Sequence, residues 1–130
     1  MNFPRDLRYT KTHEWARREG LVITVGITDY AQQEISDIVF IELPKTGSQV
    51  QAGKAVAVVE SVKAAFDIYS PVSGKVVRIN TDLETNPAVV NQDCYGEGWL
   101  FELEASNPAE WDGLLAVQDY ENHVKQENQH

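Results

Sequence analysis

Two apolar runs, residues 55–59 and 66–69, enclose a segment of small residues that carries one lysine, Ser61-Val62-Lys63-Ala64-Ala65. Runs this short are strand-sized, and their spacing predicts an antiparallel hairpin with Lys63 in its turn. The rest of the chain keeps the same period. Leu21, Ile23, Val25 and Ile27 alternate with Val22, Thr24 and Gly26 after the charged turn Arg17-Arg18-Glu19-Gly20, as the second strand of a hairpin begun at Glu14-Trp15. Residues 38–43 form a β-branched and aromatic strand, stopped by Pro44 and turned at Gly47. Residues 75–79, entered through Pro71-Val72-Ser73-Gly74, and residues 99–103 read as further strands. Gly47 and Gly74 are assigned to turn geometry. Trp15, Phe40 and Trp99 are assigned to the core.

Helical signals are few. Thr28-Asp29 supplies a hydroxyl cap and a first-turn acid, which predicts a brief helix over 30–34. Asn107-Pro108-Ala109-Glu110 opens a C-terminal helix with Trp111, Leu114, Leu115 and Val117 on its apolar face. The polar residues 121–130 are expected to fray. No low-complexity linker divides the chain, so residues 1–130 read as a single domain, with its core over about residues 8–120.

Composition narrows the function classes. The formal charge is −9, with 20 acidic groups against 11 Lys and Arg. Nucleic acid and anionic membrane surfaces both demand a basic face, so neither is an expected partner. Residues 81–130 hold eleven acidic groups against Lys125 alone, which marks either a solubilising face or a surface that steers a basic partner. The start Met-Asn-Phe-Pro-Arg-Asp lacks the apolar stretch of a signal peptide, and no run approaches the length of a spanning helix. A single cysteine, Cys94, suits a cytoplasmic setting, and with no large apolar stretch asking for a partner copy the reading is a monomer.

Catalytic constellations are missing. Cys94 has no histidine near it in sequence and reads as a buried thiol. His13-Glu14 begins like a zinc helix, but no second histidine follows at the required spacing. His123 and His130 fall in the polar tail and read as solvent-exposed. Gly96 and Gly98 do not follow a strand into a helix as a dinucleotide loop would. Lys63 offers a flexible stem ending in an amine, with only the small Ala64 and Ala65 after it, yet position alone favours a turn lysine that merely keeps a sheet edge soluble.

The pattern around Lys63 is specific. Glu60 stands three residues before it, Gly47 sixteen before and Gly74 eleven after, which resembles the lipoyl-attachment motif. Biotin carriers share the architecture but normally flank the lysine with methionines, where this chain has Val62 and Ala64. Residues 60–65 with Tyr69-Ser70-Pro71-Val72-Ser73-Gly74 are similar to the H-protein family of the glycine cleavage system. Tyr9-Thr10 with His13-Glu14-Trp15, residues 25–32, residues 36–44, and Val90-Asn91 with residues 95–100 match further blocks of that family, so the likeness covers about residues 8–120. Departures are Phe66 for a usually small residue, Ser36 for a glycine and Cys94 for a proline.

That resemblance implies a mainly β, lipoyl-domain-like barrel-sandwich hybrid of two small antiparallel sheets, with a short internal helix and a C-terminal helix. It implies a carrier with no catalysis of its own, bearing lipoate as an amide on Lys63. The lipoyl arm would take the aminomethyl group of glycine from the pyridoxal-phosphate-dependent P-protein, pass the one-carbon unit to tetrahydrofolate at the T-protein, and be reoxidised by the flavin-dependent L-protein. Glu60 would serve recognition by the lipoylating enzyme. Glu14 and Asp67 would line a cleft in which the loaded arm rests away from water. Two alternatives stand beside this: an H-like protein relaying lipoyl groups to 2-oxoacid dehydrogenases, and an unmodified β-barrel interaction module.

Overall fold

The computed structural model describes residues 1–128. In chain order the strands are β1 (Arg8–Tyr9), β2 (Glu14–Glu19), β3 (Val22–Ile27), β4 (Ile38–Glu42), β5 (Gln49–Val50), β6 (Ala55–Ser61), β7 (Ala65–Tyr69), β8 (Gly74–Ile79) and β9 (Phe101–Ala105). They form two antiparallel sheets. One runs β1-β2-β3-β9-β8-β5 and the other β4-β6-β7, as the resemblance implied. The helices are α1 (Asp29–Ile35), α2 (Val89–Gln92) and α3 (Val117–Glu127).

Alternation explains how the sheets meet. Ile23, Val25 and Ile27 of β3, with Val76 and Leu103 of the same sheet, are buried together with Ile41, Ala57, Val59 and Ile68 of the smaller sheet in one cluster. Along β6 and β9 every second residue turns inward, and the inner faces of the two sheets share the core. The hairpin of β2 and β3 turns at Gly20, whose φ of +62° favours glycine. Gly47 likewise has φ +91°, which fits its assignment to a turn.

Gly74 departs from its turn assignment. It lies inside β8, paired with Val50 on one side and Ala105 on the other. A Cβ there would overlap the Glu104 carbonyl oxygen, so close backbone approach explains this glycine. Phe40 is also not core. It is 52% exposed because a register shift between Ile38 and Phe40 leaves Val39 and Phe40 both outward, between the buried Ile38 and Ile41. Trp99 is half-buried, packed against a peripheral cluster, while Trp15 is fully buried with its indole N–H donating to the Cys94 carbonyl at 2.9 Å.

The C-terminal segment differs most from its sequence expectation. Residues 108–113 form only a 3-10 turn, residues 114–116 cross as an extended connection, and α3 begins at Val117. Tyr9 and Leu115 exchange backbone hydrogen bonds of 2.9 and 2.8 Å, which holds that connection extended. Residues expected to fray are instead helical through Glu127, with Tyr120 and Val124 buried. The reason is tertiary: Tyr120 stacks on Tyr9 with centroids 4.6 Å apart and planes 9° from parallel, and Phe3 closes edge-on at 5.1 Å. His130 lies outside the described residues.

Candidate functional site

The hairpin of β6 and β7 places Lys63 at an exposed tip. Its turn is tied from within. Ser61 Oγ accepts the N–H groups of Lys63 at 3.1 Å and Ala64 at 3.3 Å, and the Ser61 N–H donates to the Ala64 carbonyl at 2.9 Å. A serine at the strand end thus replaces the ladder that the turn interrupts. Val62 beside the lysine is 70% exposed, and Val39 and Phe40 lie open on the adjoining edge strand, at 54% and 52%. Glu60 is half-buried on β6, opposite Phe40 on one side and Ala65 on the other.

Down the hairpin, β7 forms one wall of a cleft of about 270 Å³. Phe66 and Asp67 contribute from β7, Glu34 from α1, Thr12 and His13 from the loop before β2, and Glu127 from the end of α3. The floor is apolar, with Ile27, Ala31, Ile35 and Ile68 beneath those polar groups. Asp67 lies four residues along the chain from Lys63, past the turn and into β7, which puts it at most roughly 13 Å away. The arrangement can shelter an apolar chain while offering carboxylates to a cationic end.

Glu14 sits behind this cleft, not on its lining among the described residues. It is fully buried, and its carboxylate accepts from Thr10 Oγ and Thr12 Oγ at 2.5 Å each and from the Tyr69 N–H at 3.1 Å. Burial raises its pKa above the usual carboxylate value, and those hydrogen bonds oppose the rise. Thr12 stands between Glu14 and the cleft, so Glu14 touches the lining through that hydroxyl.

His13 is the residue whose place here the sequence did not foretell. It adopts φ +76°, uncommon for a residue with a Cβ, and its Nδ1 lies 2.8 Å from the Tyr120 hydroxyl while Nε2 lies 3.0 Å from Glu127. Burial lowers its pKa, with the Glu127 carboxylate opposing. His123, expected in solvent, is 23% exposed and its Nε2 stands 2.9 Å from the other Glu127 oxygen. The only sequence signal for this grouping is the four-residue spacing of His123 and Glu127, one helical turn. Cys94 is buried as expected, and burial pushes its thiol up to about 12, leaving it inert at neutral pH.

Comparison with known proteins gives a consistent result. Residues 7–127 match the family model for the glycine cleavage H-protein. The chain is 53% identical to the glycine cleavage system H protein of Alteromonas mediterranea, over 97% of this chain and 98% of that protein. It is 52% identical to the protein of that name from Thermus thermophilus, over 98% of this chain and 99% of the other. Among solved structures, a glycine cleavage system H protein from Mycobacterium marinum superposes with a TM-score of 0.87 at 34% identity, covering 95% of this chain and 99% of that one.

Proposed function

This chain belongs to the glycine cleavage H-protein family, and on that premise we propose that Lys63 is its lipoyl attachment site. Its role is that of a non-catalytic carrier in the multi-enzyme glycine cleavage system. The observation that supports the site most directly is the tied, exposed turn: Lys63 is offered to a macromolecule while Ser61 holds its backbone in place. A redox-active dithiolane attached there supplies sulfur chemistry on which the aminomethyl group of glycine is carried from P-protein to T-protein, with reoxidation at the L-protein.

The chain's own residues supply position and protection. The fit is local: an apolar floor suits a hydrocarbon arm, and Asp67 and Glu34 offer negative charge to an ammonium group. Phe66, half-buried beside Asp67, adds an aromatic face to that lining and packs against the core. Glu14 orients the Thr12 hydroxyl at the cleft wall and in this way supports the lining. Glu60 and the exposed Val62 and Phe40 offer a mixed acidic and apolar surface to the lipoylating enzyme. Among the described residues, no helix is long and apolar enough to cross a membrane. A cytoplasmic setting is the reading that accords with one buried, unpaired thiol.

The test is intact mass spectrometry of the chain from lipoate-replete cells. One lipoyl increment is expected, abolished by Lys63→Arg, together with glycine–bicarbonate exchange when P-protein is added. An unmodified mass, or an increment that survives Lys63→Arg, overturns the assignment.

A further inference from the structure

The structure brings His13, His123 and Glu127 together from segments more than a hundred residues apart in sequence. We propose that these three side chains form a binding site for a zinc-class divalent cation, with a remaining coordination position open on the side of the neighbouring cleft.

The donor set is two imidazoles and one carboxylate, a borderline combination that suits zinc and is poor for the hard ions calcium and magnesium. One ligand atom from each residue lies within 4.8 Å of the others. Glu127 is already 3.0 Å from His13 Nε2 and 2.9 Å from His123 Nε2, and tetrahedral zinc needs donor separations of about 3.3 Å. The two Glu127 contacts are therefore already near ligand spacing, and the imidazoles, within 4.8 Å of one another, have to close by at most about 1.5 Å.

The surroundings meet the other demands of such a site. A ligating imidazole normally donates its second N–H to a fixed oxygen. His13 Nδ1 has the Tyr120 hydroxyl oxygen at 2.8 Å, and that hydroxyl is anchored to Thr28 Oγ at 2.7 Å. The Lys11 carbonyl, 2.9 Å from His123 Nε2, holds that imidazole at the site when no metal is bound, so the fourth position stays open. Exposures of 16%, 23% and 37% leave a path for an ion while shielding the site on most sides. His13 and Glu127 also line the cleft, so the open position faces a space that holds water or a ligand. Bound metal would clamp the end of α3 to the loop between β1 and β2.

The full chain, free of any histidine tag and expressed without lipoate so that no dithiol competes, is titrated with zinc chloride against a chromophoric chelator. Binding of one equivalent is expected, with no displacement by excess magnesium, and cobalt substitution should give the intense visible bands of a tetrahedral N/O site. His123→Gln keeps a donor for Lys11, and Glu127→Gln changes a partly exposed side chain. Each should fold, as checked by circular dichroism, and weaken zinc binding at least tenfold. Absence of stoichiometric binding, or affinity unchanged in either folded variant, overturns the site and leaves the three residues as a hydrogen-bonded staple.

Discussion

The Glu14 carboxylate accepts the backbone N–H of Tyr69 at 3.1 Å, joining the first hairpin of the large sheet to the strand that descends from the Lys63 turn. The two sheets are thereby linked by a polar contact beside the cleft as well as by the shared apolar core. A buried carboxylate is costly unless its lone pairs are used, and here both threonine hydroxyls and the amide use them.

This arrangement has a pH signature. Burial raises the folded-state pKa of Glu14 above 4.5, so the folded protein holds that proton more tightly than the unfolded chain does. The contribution to stability is then fullest below 4.5 and declines as pH rises through the raised value. Urea denaturation of the wild type and Glu14→Gln, at about pH 4.5 and about pH 8, should show the balance shifting toward the wild type at the lower pH. A difference that is flat with pH, or shifts the other way, contradicts this account.

Gly26→Ala should destabilise by about 1–3 kcal/mol through overpacking. A Cβ at that position would stand 2.5 Å from the Trp15 ring, which is fully buried and held by its indole hydrogen bond. Gly113→Ala is the matched control, since a Cβ there meets nothing within 4 Å and the backbone is not in the left-handed region. Chemical denaturation of both variants should separate them clearly, and equal effects would argue against the packing explanation.

Ser61→Ala removes the acceptor that ties the N–H groups of Lys63 and Ala64. The expected loss in stability is about 1 kcal/mol, because these amides are near solvent and can bond water. The larger expected effect is kinetic: a several-fold slower lipoylation at saturating ligase, with the final extent unchanged. An unaltered rate would show that the ligase imposes the turn geometry itself.

Tyr120→Phe tests what holds α3 in place. The hydroxyl is buried between His13 Nδ1 and Thr28 Oγ, so its removal leaves both short of a partner while the ring stack on Tyr9 survives. A cost of about 1–3 kcal/mol is expected. Tyr120→Ala, which also deletes the stack, should cost more, and amide exchange across residues 117–127 should rise in step.

The acidic excess of residues 81–130 gives a salt test. Of its members, Asp82, Glu84, Asp93, Glu97, Glu104, Asp112 and Asp119 are exposed. If they steer partner association, the apparent KM for this chain as a protein substrate should rise between low and physiological salt while kcat holds. A salt-independent KM returns the charge to solubility alone.

Local periodicity carried a large part of the architecture. The two hairpins, α1 with its Thr28 cap, and Lys63 at a tip all follow from short-range patterns that a strand or cap imposes directly. Errors arose where one residue's fate depended on a distant one. Phe40 looks like core, but the face it takes is set by a register shift of β4 against β6. Gly74 looks like a turn glycine until Glu104 is seen pressed against it. The polar stretch after residue 120 looks frayed because two buried residues, Tyr120 and Val124, are a weak periodic signal, and only their packing against the N-terminal segment makes them a helix face.

The sequence by itself determined the β character, the turn that presents Lys63, and membership of the family, since each rests on neighbours in the chain or on spacing along it. Tertiary structure decided what lies down the hairpin from that lysine. The cleft draws Asp67, Glu34, His13 and Glu127 from four separate elements, and the pairing of His13 with His123 and Glu127 bridges nearly the whole chain. Such groupings carry no local pattern, because they form only when burial of Tyr9, Trp15 and Tyr120 folds the two ends of the chain onto one another.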